Sequence, residues 1–147
     1  MKLNTLLLAT LALSPFAYAK SDIMTHHLYA RATAPTATTS AVFAQITNSS
    51  DQDRFIVSAK TDVAGKVELH DVITEGDVMK MRQIPQFKVP AQGKLELKPG
   101  SFHIMLLDLK KPLTEGEEIN VALTFANGEQ QMLTVPVKKV MNGMAHH

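Results

Sequence analysis

Residues 119–135 read INVALTFANGEQQMLTV, and this stretch decides the fold. Ile119, Val121, Leu123 and Phe125 alternate with smaller or polar residues, the period of a strand with one buried face. Leu133 and Val135 resume the alternation after Asn127-Gly128, the pair most favoured in a two-residue hairpin turn of the mirror-image type. The stretch therefore reads as two antiparallel strands joined by a tight turn.

The same period of two recurs upstream, in 40–46, 54–58, 66–70 and 102–107. Turn signals separate these strands. Pro99-Gly100 suits a type II turn, proline fixing φ and glycine taking the positive φ. Glu75-Gly76, Glu115-Gly116 and the polar run 48–51 mark other connections, and the small, polar stretch 32–39 (ATAPTATT) reads as a loop. Pro136, close to the last strand, places that strand at a sheet edge, where a missing N–H does no harm. No stretch beyond the N-terminal segment keeps a helical period. Short strands with frequent turns predict a single-domain all-β sandwich or barrel.

The first residues stand apart. Lys2 precedes an apolar run over 6–13, and Ala17-Tyr18-Ala19 fits a small-x-small cleavage rule. Residues 1–19 therefore read as a secretory signal peptide, cleaved after Ala19, with the mature chain in the periplasm. A domain over 20–137 and a loose tail over 138–147 follow. No later segment is apolar enough to span a membrane, and 15 basic against 14 acidic residues give no field for nucleic acid. A monomer is expected. There is no cysteine, which removes disulfides, thiolate metal sites and a cysteine nucleophile. Neither a serine at a glycine-flanked elbow nor paired carboxylates stand out, so an enzyme is not expected.

The soft side chains left are histidine and methionine. His103 and Met105 lie two apart in one strand and must project together. His70 points away from the side that Val67 and Leu69 bury. A strand around Val78 would put Met79 and Met81 on one face. Two imidazoles and two thioethers converging from separate strands suit Cu(I), since thioether sulfur is a poor ligand for zinc or calcium. No carboxylate cluster for calcium or magnesium lies nearby.

His70, Met81, His103 and Met105 follow the pattern H-x10-M-x21-H-x-M. That pattern, and the blocks KVELH (66–70), VMKMR (78–82), LKPGSFHIML (97–106), LYARAT (28–33) and KKPLTEG (110–116), resemble the periplasmic copper chaperones of the Cu(A)C family. The resemblance covers nearly all of the chain between His26 and Val137. It departs at Tyr29, where the family often has tryptophan, and at Ser101, where a second glycine is common. It implies a cupredoxin-like Greek-key β-sandwich binding one Cu(I) through His70, Met81, His103 and Met105, with Met79 as the competitor of Met81. It further implies delivery of copper to the Cu(A)-bearing subunit of cytochrome c oxidase, alongside a thioredoxin-like Sco protein.

Met141, Met144, His146 and His147 form a second candidate copper site, the histidines suiting Cu(II). Alternatively they are a loose end without a metal role. His26 and His27 open the first strand, with one of them expected near the copper rim. Absent cysteine excludes a blue-copper electron carrier. A periplasmic copper buffer and a metal-free β-sandwich interaction module stand as alternatives. Because imidazoles bind metal unprotonated, Cu(I) affinity is expected to fall as pH drops through about 6.5.

Overall fold

The computed structural model describes residues 22–139. Ten strands account for its regular structure: β1 (Ile23–Arg31), β2 (Ser40–Asn48), β3 (Arg54–Lys60), β4 (Ala64–Glu75), β5 (Val78–Gln83), β6 (Phe87–Val89), β7 (Gly93–Leu97), β8 (His103–Leu109), β9 (Glu118–Phe125) and β10 (Gln130–Lys138). They hydrogen-bond in the order β5-β4-β8-β2-β1-β10-β9-β3-β6, with β7 also on β2. Only the β1–β10 pairing is parallel. The all-β expectation holds.

Alternation builds the core. Ile119, Val121, Leu123 and Phe125 of β9 and Leu133, Val135 and Val137 of β10 are buried, as their period requires. They meet Val42 and Ile46 of β2, Leu69 of β4, and Ile104 and Leu106 of β8 in one apolar cluster. Burial of these side chains is the main driving force for closing the two halves of the sheet on each other. No helix contributes among the described residues.

Two turns differ from the reading. At Asn127-Gly128, Gly128 N–H donates to Phe125 O (2.9 Å) and Phe125 N–H to Glu129 O (2.9 Å), and only Gly128 takes a positive φ, 91°. This is a three-residue turn with a glycine bulge, in which Asn127 need not enter the left-handed region. The mirror-image two-residue turn lies instead at Gly76-Asp77, where Glu75 pairs with Val78 and Gly76 alone has φ 63°. Pro99-Gly100 behaves as read: Ser101 N–H donates to Lys98 O (3.0 Å) and Gly100 has φ 81°.

The last strand is not at an edge. β10 lies between β1 and β9, and the sheet edges are β5 and β6. Val137 N–H donates to Glu117 O (2.8 Å), so neighbouring Pro136 turns its nitrogen toward β1. The parallel ladder there pairs only Val137 and Lys138, which leaves the missing donor harmless inside the sheet. Lys138, assigned to the tail, belongs to β10.

β7 and β8 pair in succession with the same side of β2, Ala44 opposite Leu97 and Val42 opposite Ile104. Residues 98–102 leave this line as a loop whose neck is closed by Lys98 N–H donating to Phe102 O (3.0 Å). Phe102, expected in the strand, belongs to the loop and meets Phe87 edge-on, centroids 5.8 Å apart.

Candidate metal centre

Strands β4 and β8 run antiparallel with His70 directly opposite His103 and Glu68 opposite Met105. Directly opposed residues project to one face, and the two imidazole centroids lie 5.5 Å apart. The hairpin then folds β5 onto β4, placing Met81 opposite Val72 and Met79 opposite Thr74. His70, Val72 and Thr74 share a face by alternation, so both methionines join the histidines. The ten-residue spacing from His70 to Met81 is thus the length of a hairpin. The longer spacing to His103 is the detour through β6 and β7 that brings the chain back beside β4.

The imidazoles are held differently. His103 Nδ1 lies 2.8 Å from Ser101 O, a pure acceptor, so Nδ1–H donates and Nε2 keeps its lone pair. His70 Nε2 lies 2.8 Å from Glu68 Oε1 and donates to that carboxylate. Glu68 is steadied in turn by Lys66 Nζ at 3.0 Å. Its carboxyl is held below the usual range by the hydrogen bond from His70 and then by Lys66. His70 Nδ1 is left buried with no hydrogen-bond partner. An orphaned imidazole lone pair whose other nitrogen is fixed by a carboxylate is the arrangement in which histidine binds metals.

His103 forms the floor and the methionines the rim. His103 is 5% exposed, whereas Met81 is 56% and Met79 61% exposed. Met79, Met81, Met105 and His103 line a cavity of about 350 Å³ whose other walls include Phe43, Arg31 and the Pro99-Gly100 turn. His70 is not among those walls and stands beside His103 on the adjacent strand. Met79 reaches toward Gly100, while Met81 lies one side-chain step nearer to His70 along β5. No group of three or more His, Cys, Asp or Glu placed to hold a metal occurs among the described residues, and the donors beside His103 in the cavity are thioethers, of Met79, Met81 and Met105. A His pair with neutral sulfur donors fits Cu(I) and gives a hard dication little.

Burial, above all, pushes the His103 imidazole below its ordinary 6.5; the charges of His70 and Arg31 add to this, and the Ser101 carbonyl and Asp71 oppose it. The neutral, ligating form therefore persists to lower pH. The same shift acts on folding. Between the lowered folded value and the ordinary unfolded one, the unfolded chain binds more protons, so stability rises with pH. The contribution is present above about pH 6.5 and lost as pH falls below it. The urea midpoint of the metal-free protein is expected to drop between about pH 7.5 and about pH 5, with a smaller drop in His103→Ala.

Other predicted residues fall elsewhere. His26 and His27 lie in β1 with rings 6.5 Å apart, and neither lines the cavity. His27 takes φ 54° where the β1–β2 register slips between His26 and Tyr29. That β-bulge turns Tyr29 and Arg31 onto the face of Phe43, and Tyr29 stacks on Phe43 at 5.1 Å. The position expected near the copper rim thus re-aims the chain instead. Met141, Met144, His146, His147 and the segment 1–19 lie outside the described residues. The reading missed Glu68, although its place two residues before His70 puts it on the same face. It also missed Arg31, whose orientation depends on a bulge that alternation does not announce.

The sequence pattern of the LpqE-like lipoprotein family matches residues 23–137. A protein of Leifsonia xyli subsp. xyli named as a lipoprotein is 35% identical over 99 residues, covering 67% of this chain and 60% of its own length. An uncharacterized protein of Rickettsia prowazekii is 30% identical over 99 residues, covering 67% of this chain and 55% of its own. The chain thus spans under two thirds of either relative. Among solved structures, the solution structure of Cu(I)-bound DR1885 from Deinococcus radiodurans matches with TM-score 0.68 and 31% identity, over 84% of this chain and 82% of that one. The copper-bound PCuAC domain of PmoF2 matches with TM-score 0.70 and 20% identity, over 84% of this chain and 97% of that domain, a likeness of fold. With its matched segment running from the first strand almost to the end of the last, the chain belongs to the LpqE-like family and has the fold of PCuAC domains.

Proposed function

We propose that this protein is an exported copper chaperone that carries one Cu(I) on His70, Met81, His103 and Met105. The observation that carries this reading is the buried, partnerless Nδ1 of His70, beside the His103 imidazole and on the face of the methionines. The likeness to a Cu(I)-bound protein at 31% identity supports it. The lipoprotein names of the family and of the Leifsonia relative support export, and we assign the protein to the periplasm.

The burial gradient suits a carrier. The histidines are preset: Glu68 and Ser101 fix which nitrogen of each ring offers a lone pair, so little reorganisation is needed on loading. The exposed thioether of Met81 can be displaced first by a ligand from an acceptor, then that of Met105, and the half-buried His70 and buried His103 imidazoles last. Stepwise exchange lets copper leave without ever being free, and a thiolate acceptor wins on softness. We assign the acceptor to the Cu(A)-bearing subunit of cytochrome c oxidase, with a Sco protein as partner. Neither the orphaned nitrogen nor the thioethers call for a catalytic role.

The test is Cu(I) competition against a chromophoric chelator. The wild-type domain is expected to bind one equivalent, and Met81→Ala to weaken binding at least about tenfold more than Met79→Ala, a difference of about 1.4 kcal/mol. A domain that takes up no stoichiometric Cu(I) would sink the function, and the reverse order of the two variants would reassign the ligand to Met79. Oxidase activity lost at low copper in a deletion strain would support delivery, whereas copper sensitivity alone would favour storage.

A further inference from the structure

Arg31 ends β1 and lines the same cavity as Met81, His103 and Met105. Its Cζ stands 5.7 Å from the centroid of the Phe43 ring, and that ring lies 6.3 Å from His103. Among the described residues no carboxylate pairs with it, whereas Arg54 bridges Asp22 and Glu129 and Arg82 clasps Asp71. Its Nε is buried and partnerless. The acidic groups near the site are already engaged, Glu68 by His70 and Lys66 and Asp71 by Arg82. An uncompensated guanidinium thus forms one wall of a site whose four ligands are all neutral.

We propose that Arg31 sets the oxidation-state preference of the site, its unpaired charge disfavouring Cu(II) relative to Cu(I). Neutral ligands leave the ion its full charge, so a fixed cation repels Cu(II) twice as strongly as Cu(I) at the same position. The partly buried surroundings weaken this repulsion less than open water would. The thioethers prefer Cu(I) by softness, and the guanidinium adds a preference by charge. This inference rests on the copper reading above.

The experiment measures Cu(I) and Cu(II) affinities of the full chain by chelator competition, in wild type, Arg31→Lys and Arg31→Met. In Arg31→Met the ratio of Cu(II) to Cu(I) affinity is expected to rise about tenfold or more. Arg31→Lys keeps the charge and is expected to hold the ratio within about threefold of wild type. Thermal melts of the metal-free variants show whether each is folded, and Arg31→Gln, which also removes the charge, carries the comparison with Arg31→Lys if the methionine variant is not. Equal losses of both affinities in Arg31→Met, or a ratio that the lysine variant moves as far as the methionine variant, would overturn the assignment and leave Arg31 as packing over Phe43. A wild-type chain that binds no Cu(I) defeats the copper reading itself, whereas normal Cu(I) binding with an unmoved ratio defeats only the role of Arg31.

Discussion

Replacing His103 by alanine is expected to lower Cu(I) affinity more than about a hundredfold, beyond the ten- to hundredfold typical of removing an outer-shell partner. His103 gives up a buried nitrogen whose proton is already fixed on the other ring atom by Ser101 O. No imidazole is placed to replace it, because His70 stands on the adjacent strand and does not line the cavity, and the thioethers occupy the rim. Its ring also packs against Phe43 and His70, so some stability is lost with it. His26→Ala is the matched control: it removes an imidazole of β1 that does not line the cavity, and affinity should stay within about threefold. Chelator competition at neutral pH separates the two outcomes, and equal affinity losses in both variants would defeat the assignment.

The largest stability effect is expected far from the proposed ligands, at Phe87→Ala. Phe87 is 1% exposed on β6, the strand that ends the sheet opposite β5. Truncation of a buried aromatic costs about 3–5 kcal/mol, combining lost transfer energy with the cavity left behind. For a domain of this size the melting temperature should fall by roughly 10–20 °C. The effect should also reach the cavity. Phe87 holds Phe102 edge-on, and Phe102 roots the loop that carries Pro99, Gly100 and the Ser101 carbonyl. With that root loosened, Cu(I) affinity of the folded variant should drop as well. A variant that melts early yet binds copper as wild type does would show that the loop holds its shape without Phe102.

Much of this architecture could be read from the residues because strands announce themselves by alternation. Ile119 to Phe125 and Leu133 to Val137 kept the period through the whole strand, and the type II turn at Pro99-Gly100 followed from two residues with fixed backbone demands. β6 was missed because three residues between prolines are too short for a period to show. The alternation of Leu95 and Leu97 in β7 was present but passed over. The Asn127-Gly128 turn was misread because the pair also fits a three-residue bulged turn, and strand register rather than the dipeptide chooses between them. Pro136 misled because an edge is only one of the places where a missing N–H is harmless.

The site was legible in part. Alternation put His103 with Met105 and turned His70 away from the core, and the hairpin brought Met79 and Met81 to the same face together. Which nitrogen each histidine offers could not be read, since Glu68 and Ser101 act through side-chain and carbonyl positions that spacing does not encode. Arg31 was hidden for a related reason. The bulge at His27 inverts the facing of every later residue of β1, and no motif flags a histidine with positive φ.

The detour between β7 and β8 has a consequence for how such a protein can change. Both strands are pinned separately to β2, one through Ala44 and its neighbours and the other through Ser40 to Val42. The neck from Lys98 to Phe102 closes the loop upon itself. Insertions or deletions within 98–102 can therefore be absorbed without shifting the register of either flank or turning core side chains outward. The loop that walls the cavity can then change shape as a graft, on a scaffold whose strand pairing lies outside it.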